Sequence, residues 1–173
     1  TERTADVAEK PTVYLGGQSS RGSHGIESTT GDYPMFDVLS AVNVVKEAGI
    51  NEYVMLDKEK LLEMDPSVII LDAGGLALIQ EDYSANPEFY NILSAFKNGK
   101  VYLQMPFNYY TTNLEIALAD AYYIGSVLYP EQFVDIDPVE KFDEISNFFL
   151  GIDSYERIAN QYYGGFQQVL LGS

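Results

Sequence analysis

The stretch DKEKLLEMDPSVIILDAGG, running from Asp57 to Gly75, decides the fold. Asp57 is of the residue type that caps a helix start, Leu61 and Leu62 give that helix an apolar edge, and Asp65-Pro66 stops it, because proline drives the preceding residue away from helical backbone. Ser67-Val68-Ile69-Ile70-Leu71 follows as an unbroken β-branched and aliphatic run. A strand covered on both faces has this pattern, whereas a half-exposed one alternates. Asp72-Ala73-Gly74-Gly75 then closes the unit. In an open α/β sheet, ligands sit in the crevice beyond the carboxyl ends of the strands, which makes this Gly-Gly turn a candidate rim.

Outward from this unit the same alternation repeats. Upstream, Pro11 to Leu15 reads as a strand ended by Gly16-Gly17, and Gln18 to Gly31 as a long polar loop carrying Arg21, the single histidine His24, and Glu27. Met35, Val38, Leu39, Val42 and Val45 have helical spacing, entered through Asp32 and Pro34 and stopped by Gly49. Tyr53-Val54-Met55 is a short strand. Downstream, a helix from about Pro87 to Phe96 is expected behind an Asn86 cap, and Asn98-Gly99 turns into the strand Lys100 to Met105. Thr112 and Glu115 form a capping box before the apolar stripe Leu114, Ala117, Leu118, Ala121, Ile124, Gly125 and Leu128. Asp137-Pro138-Val139-Glu140 is a second box, and Ile152 to Ser173 reads as a further helix with a poorly ordered end. Strands alternating with helices imply a three-layer αβα sandwich around a mainly parallel sheet. Residues 1–10 read as the end of a preceding helix or linker, and 11–173 as a single α/β lobe.

Composition narrows the function. The 173 residues carry 26 acidic and 10 basic side chains for a formal charge of −16, and the acids are spread along the chain, so a phosphate backbone would be repelled and nucleic-acid binding is not expected. The same acidity raises the reading of an interaction domain with an acidic docking face for a basic partner. Cysteine is absent, which excludes disulfides, thiolate metal sites and a cysteine nucleophile. Fourteen tyrosines with no tryptophan favour surfaces that are half apolar and half wet.

No catalytic motif survives inspection. The glycine spacing in Gly17 to His24 suggests a phosphate loop but lacks its Lys-Ser/Thr pair, and neither a dinucleotide fingerprint nor a nucleophile elbow is present. A free-standing α/β hydrolase using a loop serine and His24 is the enzymatic alternative. Neither a zinc ligand set nor a calcium loop can be assembled, and no cofactor is called for. What is left is three loops after three strands, Gly16–Thr30, Asp72–Leu76 and Phe107–Thr111, all opening at one sheet edge. Tyr14, Gly17, Arg21, His24, Gly74, Gly75, Tyr109 and Tyr110 are the candidate ligand-binding residues, able to receive an anionic or aromatic ligand by stacking and charge-assisted hydrogen bonds.

The order of the segments LLEMDPSVIIL, NGKVYLQMPFN, NLEIALADAYYIGSVLYPEQF and DIDPVEKFDEISNFFLG, behind a helix containing Leu39 to Asn43, resembles the carboxyl-terminal lobe of class III substrate-binding proteins, from about Pro11 to Phe166. The resemblance departs at Ala41-Val42-Asn43, where that family often has Gly-Gly before the asparagine. It implies one lobe of a two-lobed, non-catalytic, extracytoplasmic receptor that delivers a metal chelate of the ferric siderophore, haem or cobalamin type to an ABC transporter permease. The amino-terminal lobe would be the missing partner in the cleft, and Thr1 to Glu9 the close of the connecting helix. An acidic residue on each lobe docks onto the permease in that family, which places the role at Asp32 with Glu27 as its neighbour. Half a cleft should bind weakly, since the other lobe's contacts are lost while much of the cost of association stays.

Overall fold

The structure, a computed structural model, describes residues 2–108 and 110–172. Its organising strand is β5, Val68–Asp72, buried along its whole length. It pairs in parallel with β1, Thr12–Gly16, on one side and with β6, Val101–Gln104, on the other. The two-residue strands β3 (Val42–Asn43, parallel to β1) and β7 (Gln167–Gln168, antiparallel to β6) complete the order β3-β1-β5-β6-β7. The apolar run of β5 is explained by this position. Ile69 and Leu71 enter one core, with Tyr14 of β1 and Leu103 of β6, while Val68 and Ile70 enter the other, with Val13 and Leu15. Side chains alternate across a strand, so a strand with helices on both faces needs apolar residues at every position.

The first core is roofed by α2 (Val44–Glu47), α3 (Lys58–Met64), α4 (Leu76–Ala85), α5 (Pro87–Ile92) and α6 (Ser94–Lys97), through Val45, Leu61, Ile79, Tyr90 and Ala95. The second lies under α1 (Pro34–Val38) and α7 (Leu114–Leu128), through Phe36 and Ile124. A third cluster seats α8 (Pro138–Leu150) and α9 (Tyr155–Ala159) on α7 through Ala119, Phe142 and Ala159. The result is the three-layer α/β sandwich read from the sequence, with an added antiparallel ribbon of β2 (Ser28–Thr30) and β4 (Tyr53–Met55).

Several local expectations hold for the reasons given. Asp57 accepts from Glu59 N at 2.8 Å, and α3 ends at Asp65, whose left-handed backbone (φ 36°) precedes Pro66. Asp137 accepts from the amides of Val139 and Glu140 ahead of α8, which ends at Gly151 with φ 72°.

Others are corrected. The helix expected from Met35 to Val45 is two short helices around β3. Ser40 takes φ 55°, and Asn43 donates to the carbonyls of Thr30 and Gly31 while accepting from Val45 N, so residues 42–43 lie extended against β1. Periodicity alone could not see this tertiary pull. Asn86 makes no cap bond; its side-chain amide donates to Asp82, and the helix after it breaks at the extended Leu93. Thr112 bonds Asn108 rather than capping α7, which starts after Asn113. The tail is not one helix: positive φ at Tyr163, Gly164 and Gly165 ends α9's course and sends the chain into β7. Residues 2–6, read as the close of a connecting helix, form turns. Among the described residues no helix is long and apolar enough to cross a membrane.

Candidate functional site

β1, β5 and β6 all end at one edge of the sheet, because they are parallel, and the loops that leave them meet there. Their closest approach is made of backbone. A Cβ on Gly75 would lie against the carbonyl oxygen of His24, 2.6 Å from that of Gly17 and 2.9 Å from the Gly17 Cα; Gly17 itself has φ 72°. A Cβ on Gly74 would press on Ser19 Oγ. These three glycines let the loop after β1 sit directly on the turn after β5, and they form the floor of the rim.

A buried carboxyl fastens this floor. Asp72, at the end of β5, accepts from Ser19 N at 3.0 Å, Ser19 Oγ at 3.0 Å and Gly74 N at 2.8 Å. Asp72 and Ser19 are both buried. Removal from water pushes the Asp72 carboxyl up to about 6, against the opposing pull of these donors. Beside it on β6, in register, is Gln104, whose amide is bonded in both directions to the buried Tyr33 hydroxyl at 2.9 and 2.7 Å. Asp120, inside α7, accepts from Met105 N at 3.1 Å, and its Oδ2 has no partner. Burial drives its carboxyl well above the usual carboxylate range, against the opposing pull of the Met105 amide.

The predicted site residues separate into groups. Gly17, Gly74 and Gly75 come together as the floor. Arg21 is exposed on the loop with φ 57°, and no carboxylate of the described residues lies within ion-pair distance of it. His24 is half-buried, its Nε2 3.0 Å from the Ser20 carbonyl oxygen and its ring edge-on to Tyr53. Tyr110 is 77% exposed, and Tyr109 lies outside the described residues. Tyr14 is a correction: it is fully buried, with its hydroxyl donating to the Ile26 carbonyl at 2.8 Å, and belongs to the core. Its position in β1 put it on the helix-covered face. Asp32 is exposed and 3.3 Å from Lys46, whereas Glu27 is part of an inner network in which Lys58 lies 3.7 Å from Glu27 and 2.6 Å from Asp82. Asp72, Ser19, Gln104, Tyr33 and Asp120 were not read as a cluster. The available signals were a polar residue closing each of two apolar strands and one carboxylate within the apolar stripe of α7.

Among the described residues no group of three or more histidines and carboxylates converges to hold a metal ion. Concavities of about 520 Å³ beside the end of α8 and 360 Å³ between α1 and α7 are lined by other residues, so none of the predicted rim side chains borders them. The rim is an open surface with a backbone floor, aromatic edges and a cation, Arg21, that has no ion-pair partner among the described residues.

The fold is similar to that of one lobe of solved periplasmic binding proteins. Among solved structures the chain is similar to the TroA-like periplasmic binding protein FepB from Veillonella parvula, at 22% identity and a TM-score of 0.66, over 88% of this chain and 49% of that one. It is similar to the molybdate periplasmic binding protein MolA of Haemophilus influenzae, at 19% identity and a TM-score of 0.67, over 88% and 46%. The periplasmic haem-binding protein HutB of Vibrio cholerae matches at 19% identity and a TM-score of 0.51, over 71% and 49%. The chain thus spans about half the length of the proteins it matches. No family model and no curated protein sequence matches it.

Proposed function

We propose that this chain is one lobe of an extracytoplasmic substrate-binding protein of an ABC importer, and that its rim is half of a cleft for a metal chelate of the ferric siderophore, haem or cobalamin type. The observation that carries the reading is the coincidence of two boundaries: the likeness stops at half of each solved chain, and the half present ends in an open rim at the carboxyl edge of its sheet. Ligand contact is assigned to Arg21 and His24 on the loop after β1 and to Tyr110 after β6, with Tyr109 preceding Tyr110 in sequence. In a chain of charge −16, an arginine with no ion-pair partner among the described residues favours ligands that present an anionic group. The hydrolase alternative is not favoured, because the His24 nitrogen that would activate a serine faces the Ser20 carbonyl oxygen.

We assign permease docking to Asp32, which is exposed, whereas Glu27 lies 3.7 Å from Lys58 in a second ion-pair network. Titration of ferric siderophores, haemin, cobalamin, molybdate and free metals against this chain, and against the longest natural chain containing it, tests the reading. Micromolar or tighter binding by the longer chain with much weaker binding here is the expected result; no binding by either removes the transport assignment. In a reconstituted importer, Asp32→Ala should reduce uptake with ligand affinity unchanged, and normal uptake would remove the docking role.

A further inference from the structure

Two large side chains stand exposed on the outer face of the β2–β4 ribbon, next to the rim loop. Side chains alternate across a strand, so Val54 packs into the first core while its neighbours Tyr53 and Met55 face out, 42% and 53% exposed. The outer face of such a ribbon is ordinarily polar, because it contributes nothing to a core. The Tyr53 ring is nevertheless pinned. Its hydroxyl lies 3.0 Å from Ser28 Oγ and 3.4 Å from Met55 Sδ, and Ser28 Oγ donates in turn to the Gln18 carbonyl at 2.7 Å. The His24 ring stands edge-on beside it, with the centroids 6.3 Å apart. The loop after β1 is folded back onto this ribbon: Gln18 N donates to the Ser28 carbonyl and Ser28 N to that of Gly25, both at 3.1 Å. His24 Nε2 lies 3.0 Å from the Ser20 carbonyl oxygen, and Arg21 follows Ser20 directly, so its backbone starts beside the His24 ring.

We infer that Tyr53 is a stacking surface for a flat aromatic ring that carries an anionic group, with Arg21 taking the charge, His24 closing one side and Met55 forming an adaptable flank. A tyrosine has two side-chain torsions, and here its hydroxyl end is already tied to Ser28, so little freedom is lost when a ligand ring settles on it. The thioether of Met55 adjusts to the outline of what is bound. The inference deepens the proposed function, and rests on it for the natural ligand: among chelates it selects those built on aromatic rings over hydroxamates and over oxyanions such as molybdate.

Benzoate and cyclohexanecarboxylate share a carboxylate and differ in the flatness of the ring, so the ratio of their dissociation constants on the ¹⁵N-labelled chain reads stacking without the natural ligand. Benzoate should bind about two- to tenfold more tightly, the range one aromatic pair contributes beyond buried area, with amide shifts centred on Tyr53, Met55 and His24. Tyr53→Leu should bring the ratio to unity, Tyr53→Phe should keep it, and Arg21→Gln should weaken both acids together. A ratio taken within one variant is insensitive to general loosening of the fold. A ratio of unity in the parent chain, binding of neither acid, shifts centred elsewhere, or a ratio that survives Tyr53→Leu would overturn the inference. Separate titrations of haemin, a ferric catecholate, a ferric hydroxamate and molybdate against the longest natural chain containing this lobe keep the two readings apart. Tight binding of haemin or the catecholate, weakened by Tyr53→Leu, supports both and says which aromatic source is used. Tight binding of the hydroxamate or molybdate alone would leave transport standing and overturn the ligand class, whereas benzoate seated at Tyr53 with no chelate bound would remove transport and leave the aromatic site.

Discussion

Gly75→Ala isolates the contact on which the rim depends. Gly75 has φ −98° and ψ −10°, a backbone any residue adopts, and it stands immediately before α4, where alanine would be favoured over glycine by up to about 1 kcal/mol on propensity alone. If local preference ruled, the variant would be more stable. The structure argues the opposite, because the new methyl would meet backbone rather than flexible side-chain ends: the carbonyl oxygens of His24 and Gly17 and the Gly17 Cα. Backbone can give way only by moving the loop, which also strains the Ser19–Asp72 bonds. Overpacking of this kind costs about 1–3 kcal/mol, so after the propensity gain a net loss of about 1–2 kcal/mol is expected. For a chain of this length that is a fall in melting temperature of about 2–8 °C. Urea unfolding followed by circular dichroism measures it, with Gly49→Ala as the contrast: φ is 80° there but no atom lies within 4 Å, so only backbone strain operates. A Gly75→Ala variant as stable as the parent, or more so, would refute the reasoning that loop and turn touch through their backbones.

Asn43→Ala removes two donations to the Thr30 and Gly31 carbonyls and the cap of α2, all buried; a loss of about 2–4 kcal/mol in urea unfolding is expected. Tyr33→Phe leaves the Gln104 amide unpaired in the core and should cost about 1–3 kcal/mol by the same assay. Burial raises the Asp72 carboxyl from an ordinary 3.8 to about 6, so the folded state holds this proton longer than the unfolded chain. Its contribution to stability is therefore complete below pH 3.8 and lost as pH rises to about 6, a change on the order of 3 kcal/mol that Asp72→Asn should remove from the stability–pH curve. Arg21→Gln should weaken whichever anionic panel member binds by about tenfold, at unchanged melting temperature; equal affinity would take Arg21 out of the site.

The layer order was legible because the helix-strand unit around Val68 to Leu71 is locally consistent, with cap, stop and apolar run all agreeing. Glycine-rich strand ends located the rim for the same reason, since glycine appears where backbones must approach. Side-chain roles at the rim were less legible. Tyr14 reads as rim from its nearness to Gly16-Gly17, but strand alternation points it into the core. The Met35 to Val45 periodicity is genuine, yet Asn43 bonds to carbonyls in a distant part of the sequence, and the resulting extended residues divide the helix. Ser19 gave no signal, because the value of a serine beneath a buried aspartate exists only once residues 53 apart in sequence have met.

The outermost strands of the sheet are two residues each, β3 on one side and β7 on the other. A sheet edge is a template for another chain, and its reach is set by how many free backbone groups lie in a row. Asn43 ends β3 by turning at once into α2, while Gln167 and Gln168 cover Tyr102 and Leu103 of β6, with the Val169 amide donating to the Val101 carbonyl just beyond. The tail thus acts as a guard against edge-to-edge stacking: a chain cut after Phe166 would bare the backbone of an apolar strand and be more prone to self-association than the intact chain.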